Sequence, residues 1–260
     1  MSRISIYRGE TCLAQTSAAD EVYLVFDGVY QPGDHIVFES DTAFAWVRAD
    51  QSLEPARLYL PTKRFTYRLP LAGDNPLAYP PMAFRAERHL LSLAPDPGNE
   101  CRNLALNPLD QRGAVSAYPH VTANVETRDE AVFCARNVVD GLISAAGHGV
   151  WPYQSWGIGA RTDACLTLDF GREVEVYTLD LYLRADFPHD AYWVEGTVTL
   201  SDGSAYRFPL QGVQGSQRVA LGLHRVRWLK LEKLIKCDMP SAFPALRQLM
   251  VYGRDCKDGQ

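Results

Sequence analysis

Two segments in the second half of the chain combine aromatic and hydrogen-bonding side chains within ten residues each. Residues 148–157 have the sequence HGVWPYQSWG, and residues 184–193 have the sequence RADFPHDAYW. Neither segment alternates polar and apolar residues as a strand does, so both are predicted to be loops at strand ends. Because loops on a rigid β-scaffold commonly carry binding residues, the two segments together predict a ligand site.

The side chains in these loops match the chemistry of a sugar ring. A pyranose presents an apolar C–H face on which an aromatic ring can stack, and hydroxyl groups that need donors and acceptors. The aromatic candidates are Trp151, Tyr153, Trp156 and Trp193, and the polar candidates are Gln154, Arg184, Asp186, His189 and Asp190. We therefore expect a carbohydrate or another small polar ligand.

Each candidate also has a structural interpretation. Tryptophan is highly buried on average, so Trp156 could belong to the core of a sandwich rather than to a ligand platform. Arg184 and Asp186 could form a local ion pair that closes the loop, while His189 and Asp190 could cap a turn. The sequence leaves these alternatives open.

Enzyme signatures are missing from the sequence. It contains no phosphate-binding G-x-x-x-x-G-K-[ST] loop, no G-x-G-x-x-G, no G-x-S-x-G elbow and no H-E-x-x-H zinc motif. This favours a non-catalytic protein. The alternative is an enzyme acting on a glycan or small polar metabolite, with His189 and either Asp186 or Asp190 as acid and base. A further alternative is an assembly module, such as a homo-oligomer, in which the aromatic loops form a protein interface.

Composition excludes several other classes. The chain has 260 residues, 47% hydrophobic content and a formal net charge of −5, which are values of an ordinary globular protein. Its basic residues are scattered singly, which argues against nucleic acid as a partner. No apolar run approaches the roughly 18 to 20 residues that cross a bilayer, and the N-terminus does not resemble a signal peptide. We therefore expect a cytoplasmic protein without a membrane partner.

The cysteines predict no metal site. The six cysteines form no C-x-x-C pair and no zinc-ligand spacing. They are expected to be reduced thiols. The alternative is a disulfide between Cys101 and Cys256, near the two ends of the second half, in an oxidising compartment.

Short apolar runs separated by Gly and Pro turns predict an all-β fold of two β-sandwich domains. A cluster of turn formers at residues 94–99 places the boundary between residues 1–98 and residues 99–260. Within the second domain, Asp202-Gly203 predicts a tight hairpin. A short helix is expected within residues 130–140.

The second half resembles a known family in the order of its motifs. The matching segments are ARNVVDG at residues 135–141, Trp156, ACLTLDFG at residues 164–171, residues 176–184 and the last strand at residues 246–253. Together they resemble galactose-binding-like domains, the fold of coagulation factor V/VIII type C (discoidin) domains. The resemblance covers residues 101–254. The aromatic loops also resemble those of uncharacterised bacterial two-domain proteins labelled carbohydrate-binding.

The resemblance implies a C-terminal jelly roll with a lectin-like site in the loops at one end. It also implies that a structural calcium ion could lie near Asp140, with no other cofactor required. The phospholipid-binding branch of the family carries exposed apolar spikes flanked by basic residues, which this sequence does not show. For the first half, the turn at residues 30–36 is similar to one that opens a strand in jelly-roll domains.

Overall fold

The computed structural model describes residues 1–96, 98, 100–113, 115–143, 145, 147–185 and 190–256. Within these ranges the regular structure is β-strand and short 3₁₀ turns, with no α-helix. The all-β prediction is therefore confirmed. No helix among the described residues is long and apolar enough to cross a membrane.

The first half consists of antiparallel sheets that face each other. Its strands are β1 (Ser2–Arg8), β2 (Thr11–Ala18), β3 (Val22–Asp27), β4 (Asp34–Glu39), β5 (Phe44–Arg48), β6 (Ala56–Tyr59), β7 (Arg64–Arg68) and β8 (Arg88–Pro95). One sheet has the order β2-β1-β4-β7 and the other the order β3-β8-β5-β6. Alternation of side chains along each strand turns one face of each sheet inward. For example, Ile4 of β1 pairs with Phe38 of β4, and both are fully buried.

The second half is built on one antiparallel sheet that contains very long strands. Its strands are β9 (Arg102–Asn103), β10 (His120–Ala123), β11 (Trp156–Gly157), β12 (Leu166–Arg184), β13 (Trp193–Leu200), β14 (Ala205–Pro209), β15 (Gln217–Lys236) and β16 (Ala245–Asp255). The order is β11-β16-β12-β15-β13-β14, with β10 paired to β12 and β9 paired to β16. Gly171 in β12 and Gly222 in β15 have φ values of +69° and +80°. Glycine adopts these angles without strain, so the long strands bend there and the sheet wraps around its core.

The turns between strands follow the local sequence with one exception. The predicted hairpin at Asp202-Gly203 is confirmed, because β13 and β14 pair and Gly203 has a φ of +90°. The helix expected within residues 130–140 is wrong. That segment forms separate 3₁₀ turns at Ala131–Phe133 and Ala135–Val138, interrupted by the extended backbone of Cys134. Further 3₁₀ turns lie at Asn75–Ala78 and Thr127–Asp129.

Among the described residues, the buried hydrophobic side chains form one cluster in each half. The cluster of the first half also contains Leu109 and Ala117, which come after the predicted boundary at residue 98. The chain that leaves the first sandwich therefore packs against it before it enters the second. The predicted division into residues 1–98 and 99–260 stays a prediction.

The cysteines all lie within the described residues. Each of the six is a free thiol, so no disulfide joins Cys101 to Cys256. Cys134 and Cys237 are buried, whereas Cys12 and Cys101 are exposed.

A buried cluster of charges joins the two halves. Asp255, at the end of β16, accepts hydrogen bonds from Arg57 of β6, from Arg102 of β9 at 2.8 Å and from Arg172 of β12 at 2.7 Å. Arg57 also binds Asp96, within the predicted boundary segment. Asp255 is only 6% exposed. Because it bonds to both halves at once, Asp255 fixes how one half sits on the other.

The charges around Asp255 control its ionisation. Burial acts to raise the pKa of this carboxyl group, but the positive charges of Arg172 and Arg102 lower it below its usual value. A carboxyl group whose pKa is lower in the folded state stabilises the fold above its unfolded pKa, about 3.9. That stabilisation is lost as the pH falls through the lower, folded-state pKa.

We expect Asp255→Ala to lower the free energy of unfolding by about 3–5 kcal/mol at pH 7, because it leaves buried guanidinium groups without their counter-charge. Urea denaturation of both proteins measures the difference. It should shrink as the pH falls below about 3.9, where the carboxyl group takes up its proton in the unfolded chain while it is still ionised in the folded one. Asp27→Ala, which removes an exposed partner of Arg88, is the control and should leave stability unchanged. Equal denaturation midpoints for Asp255→Ala and the wild type would contradict the role given to this cluster.

Candidate functional site

Strand pairing brings the two predicted loops to the same end of the second half. Arg184, the last residue of β12, pairs with Ala245 at the start of β16. Trp156 of β11 pairs with the next residue of that strand, Leu246. The loop before Trp156 and the loop after Arg184 therefore leave the sheet side by side. We call this region the loop end and define it as Asn137, residues 148–155, Arg184 and residues 245–248.

Arg184 supports the first loop. Its side chain is 1% exposed, and its Nη1 donates a hydrogen bond to the carbonyl oxygen of Tyr153 at 3.0 Å. The guanidinium carbon lies 5.9 Å from the centre of the Tyr153 ring. Arg184 thus holds the first loop against the end of β12, instead of standing at the surface as a contact for sugar hydroxyls.

Trp156 and Trp193 do not form a ligand platform. They are 0% and 1% exposed, and their ring centres lie 6.3 Å apart within the core. The indole N–H of Trp156 donates to the carbonyl oxygen of Val125 at 2.9 Å. The prediction that these tryptophans stack on a sugar is wrong, because β11 and β13 direct both rings inward.

Gln154 and Asp140 form a buried polar pair beneath the first loop. Nε2 of Gln154 lies 3.4 Å from Oδ2 of Asp140, whose Oδ1 accepts the backbone N–H of Leu142 at 2.9 Å. Burial raises the pKa of Asp140 to about 6, although the charge of Arg136 acts in the opposite direction. Gln154 is 3% exposed, so it supports the loop rather than meeting solvent.

Asp140 is the residue near which the family resemblance predicts a calcium ion. Calcium prefers about 6–8 oxygen ligands, usually including several carboxylates. Among the described residues, no group of three or more His, Cys, Asp or Glu side chains comes together. The positive charge of Arg136 acts on the same carboxylate. Calcium binding at Asp140 therefore stays a prediction of the family resemblance.

The surface of the loop end retains an aromatic rim. Trp151 and Tyr153 are both partly buried, and His148 beside them is exposed. The ring of Tyr153 meets His148 edge to face at 6.1 Å and Phe133 at 6.5 Å between centres. Of the predicted aromatic platform, Trp151 and Tyr153 are the members that solvent reaches.

Buried polar atoms below this rim lack hydrogen-bond partners among the described residues. They include Nε1 of Trp151, Oγ of Ser155, Oδ1 of Asn137 and both amide atoms of Gln248. Asn137 is next to Ser155, whose carbonyl oxygen accepts its Nδ2 at 3.3 Å. A buried polar group without a partner costs about 1–3 kcal/mol, so this end of the sheet has unused donors and acceptors.

Sequence reasoning missed Asn137, Ser155 and Gln248 as site residues. Ser155 lies within the first aromatic segment, and Asn137 lies within a family motif, but neither was given a binding role. Gln248 stands opposite Tyr182 in the β12–β16 pairing, at an irregularity where Leu183 pairs with Leu246. No local signal marks such a position, because burial of Gln248 depends on the pairing of distant strands.

The remaining predicted residues belong to the second loop. Asp186 and His189 lie outside the described residues, so the predicted ligand and acid–base roles of these residues stay predictions. Asp190 is partly buried just before Trp193.

The chain was compared with protein families, curated proteins and solved structures. No protein-family model and no curated protein matches the chain. Part of the chain is similar to solved structures of sugar-binding modules. One is chitosan-binding module 1 from a chitosanase/glucanase of Paenibacillus sp. IK-5, with 17% identity, a TM-score of 0.42, and coverage of 58% of this chain and 99% of the module.

Two further structures show a comparable degree of similarity. The family 32 CBM from C. perfringens NanJ, in complex with galactose, has 15% identity and a TM-score of 0.40, covering 51% of this chain and 91% of its own. The lectin domain of Lectinolysin, complexed with Lewis B antigen, has 17% identity and a TM-score of 0.43, covering 58% and 95%. The likeness assigns no ligand or residue role.

We expect Trp193→Ala to destabilise the protein by about 3–5 kcal/mol, because it removes a fully buried indole from the core. Trp151→Ala makes the same change at the partly exposed rim and should cost clearly less. Chemical denaturation monitored by circular dichroism compares the two variants. A wild-type midpoint for Trp193→Ala would show that this ring does not belong to the core.

Proposed function

We propose that the chain is a non-catalytic carbohydrate-binding protein that holds a sugar at the loop end of its second half. The observation that carries the proposal is the set of buried polar atoms without partners beneath the rim of Trp151 and Tyr153. An aromatic surface over unused donors and acceptors matches the two sides of a pyranose, which are its C–H face and its hydroxyl groups.

The rim supplies the apolar contact. Trp151 and Tyr153 combine a large ring with a polar atom, and such side chains bury much area with little loss of conformational freedom. Edge-to-face contacts with His148 and Phe133 brace the ring of Tyr153 from its sides. A sugar that stacks on this rim meets side chains that are already in place.

These buried atoms suit a ligand that both donates and accepts hydrogen bonds. Nε1 of Trp151 can only donate, Oδ1 of Asn137 can only accept, and the Ser155 hydroxyl and the Gln248 amide can do both. An anion would leave the acceptors unsatisfied, whereas sugar hydroxyls donate and accept. Ser155 and Gln248 are fully buried, so we propose that they act through ordered water, which commonly links such groups to a ligand.

Arg184 and Asp140 are positioning residues in this proposal. Arg184 holds the backbone of Tyr153, and Asp140 holds Gln154 next to it in the chain. Fixing the loop before the ligand arrives lowers the entropy cost of binding. The sequence predicted that Arg184 contacts the sugar. In this proposal Arg184 instead supports Tyr153, which makes the contact.

We expect a thermal-shift screen with mono- and oligosaccharides at ~10 mM to identify a stabilising sugar. A ligand with a Kd of ~1 mM adds about 1.4 kcal/mol by mass action. This raises the Tm by roughly 2–4 °C for a protein of this size. Trp151→Ala should abolish the shift, because it removes the stacking surface. Trp46→Ala removes a tryptophan that is 40% exposed in the first half, and it should retain the shift.

Parallel samples separate this proposal from its rivals. Each sugar is tested with calcium and with EDTA, and a shift that appears only with calcium and without any sugar would identify a structural ion. A panel that produces no shift, combined with an oligomer that Trp151→Ala dissociates, would favour an assembly module. An equal loss of the sugar shift in Trp46→Ala would remove the ligand from the loop end.

A further inference from the structure

A cleft of about 430 Å³ lies between the two halves. Residues 68–79 of the first half line one side, and residues 110–113 and 129–136 line the other. The volume falls within the range of small-molecule sites, roughly 300–1,000 Å³. None of the described lining residues belongs to the loop end, so the cleft and the proposed sugar site have separate linings.

Arg136 lies in the wall of this cleft with hydrogen-bonding capacity to spare. It is 6% exposed, and its Nη2 donates to the carbonyl oxygen of Pro108 at 2.7 Å. The guanidinium group stacks over the ring of Tyr79, with its carbon 4.3 Å from the ring centre. Its Nε has no acceptor among the described residues. A buried guanidinium with an unused N–H favours a ligand that brings an acceptor.

Arg68 supplies a second positive charge to the same cleft. Its backbone N–H and carbonyl group bind the side chain of Gln111 at 3.2 Å and 2.5 Å, which fixes this residue in the wall. Its guanidinium group makes no hydrogen bond or ion pair with any described residue. Arg68 is exposed, so a ligand can reach it from solvent.

Some of the cleft's carboxylates are engaged by donors of the protein. Oδ1 of Asp110 lies 2.7 Å from Nδ1 of His120, and its Oδ2 accepts the backbone N–H of Val121 at 3.0 Å. Asp129 is paired with Arg112. Neither carboxylate bonds to Arg136 or Arg68, and both limit how much further negative charge the cleft tolerates.

Asp74 and Asn75 provide a different kind of contact. Oδ2 of Asp74 accepts the backbone N–H of Ala131 at 2.8 Å, which leaves its other oxygen available. Asn75 offers an amide that both donates and accepts. Asp74 and Asn75 therefore suit the hydroxyl groups of a ligand better than they suit a second anionic group on it.

We propose that this cleft binds a small hydroxylated carboxylate of the sugar-acid class. The carboxylate group faces Arg136 and Arg68, where charge-assisted hydrogen bonds form, and the hydroxyl groups face Asp74 and Asn75. A phosphate would bring close to two negative charges against neighbouring carboxylates, so the cleft favours a monoanion. A neutral sugar lacks the carboxylate that the two guanidinium groups select.

The test is calorimetric titration of the full chain with glucuronate and with glucose at equal ionic strength. Glucuronate should bind the wild type, and Arg68→Gln should weaken it about tenfold or more, which corresponds to about 1.4 kcal/mol. Arg227→Gln removes an exposed arginine of β15 and should bind glucuronate as the wild type does. Trp151→Ala should also retain glucuronate binding, because Trp151 belongs to the loop end.

Two results overturn the proposal. One is a wild type that does not bind glucuronate, and the other is an Arg68→Gln variant with wild-type affinity. Glucuronate binding lost in Trp151→Ala but kept in Arg68→Gln would place the ligand at the loop end instead. Failure of the sugar screen leaves this test unaffected, since the two sites use different residues.

Discussion

The contact between the two halves depends on the carboxylate of Asp255, which neutralises guanidinium groups from both. Asp255 binds Arg57 in the first half, and Arg102 and Arg172 in the second. Charges removed from water at a joint need such pairing, since an unpaired buried charge is very costly. With this joint in place the halves have a defined relation, and the cleft lined by Arg68 and Arg136 has a defined shape.

At the loop end, some of the predicted side chains support the loops and others lie at the surface. Trp156, Trp193 and Arg184 combine chemistry suitable for a sugar with burial that excludes direct contact. Of these, Arg184 holds the backbone of Tyr153, and the two tryptophans pack against each other in the core. Fewer of the predicted side chains therefore remain at the surface than the sequence suggested.

The sequence predicted what depends on local pattern. Short apolar runs between turn formers identified the all-β fold, and Asp202-Gly203 identified a hairpin, because glycine tolerates the positive φ that the turn requires. Burial of Trp193 could not be predicted from the neighbouring sequence, because it depends on the pairing of β13 with β15. The role of Arg136 was equally hidden, because its contact with Ala78 spans 58 residues of sequence.

The joint at Asp255 has a consequence for the order in which the chain assembles during synthesis. Arg57 precedes Asp255 by 198 residues but precedes Asp96 by only 39. The first half can therefore emerge from the ribosome with Arg57 already paired to Asp96, as domains generally fold N-terminal first. The second half then needs β16 to be made before its own arginines are neutralised. A first half that folds early therefore bonds to Asp255 only after β16 has been made.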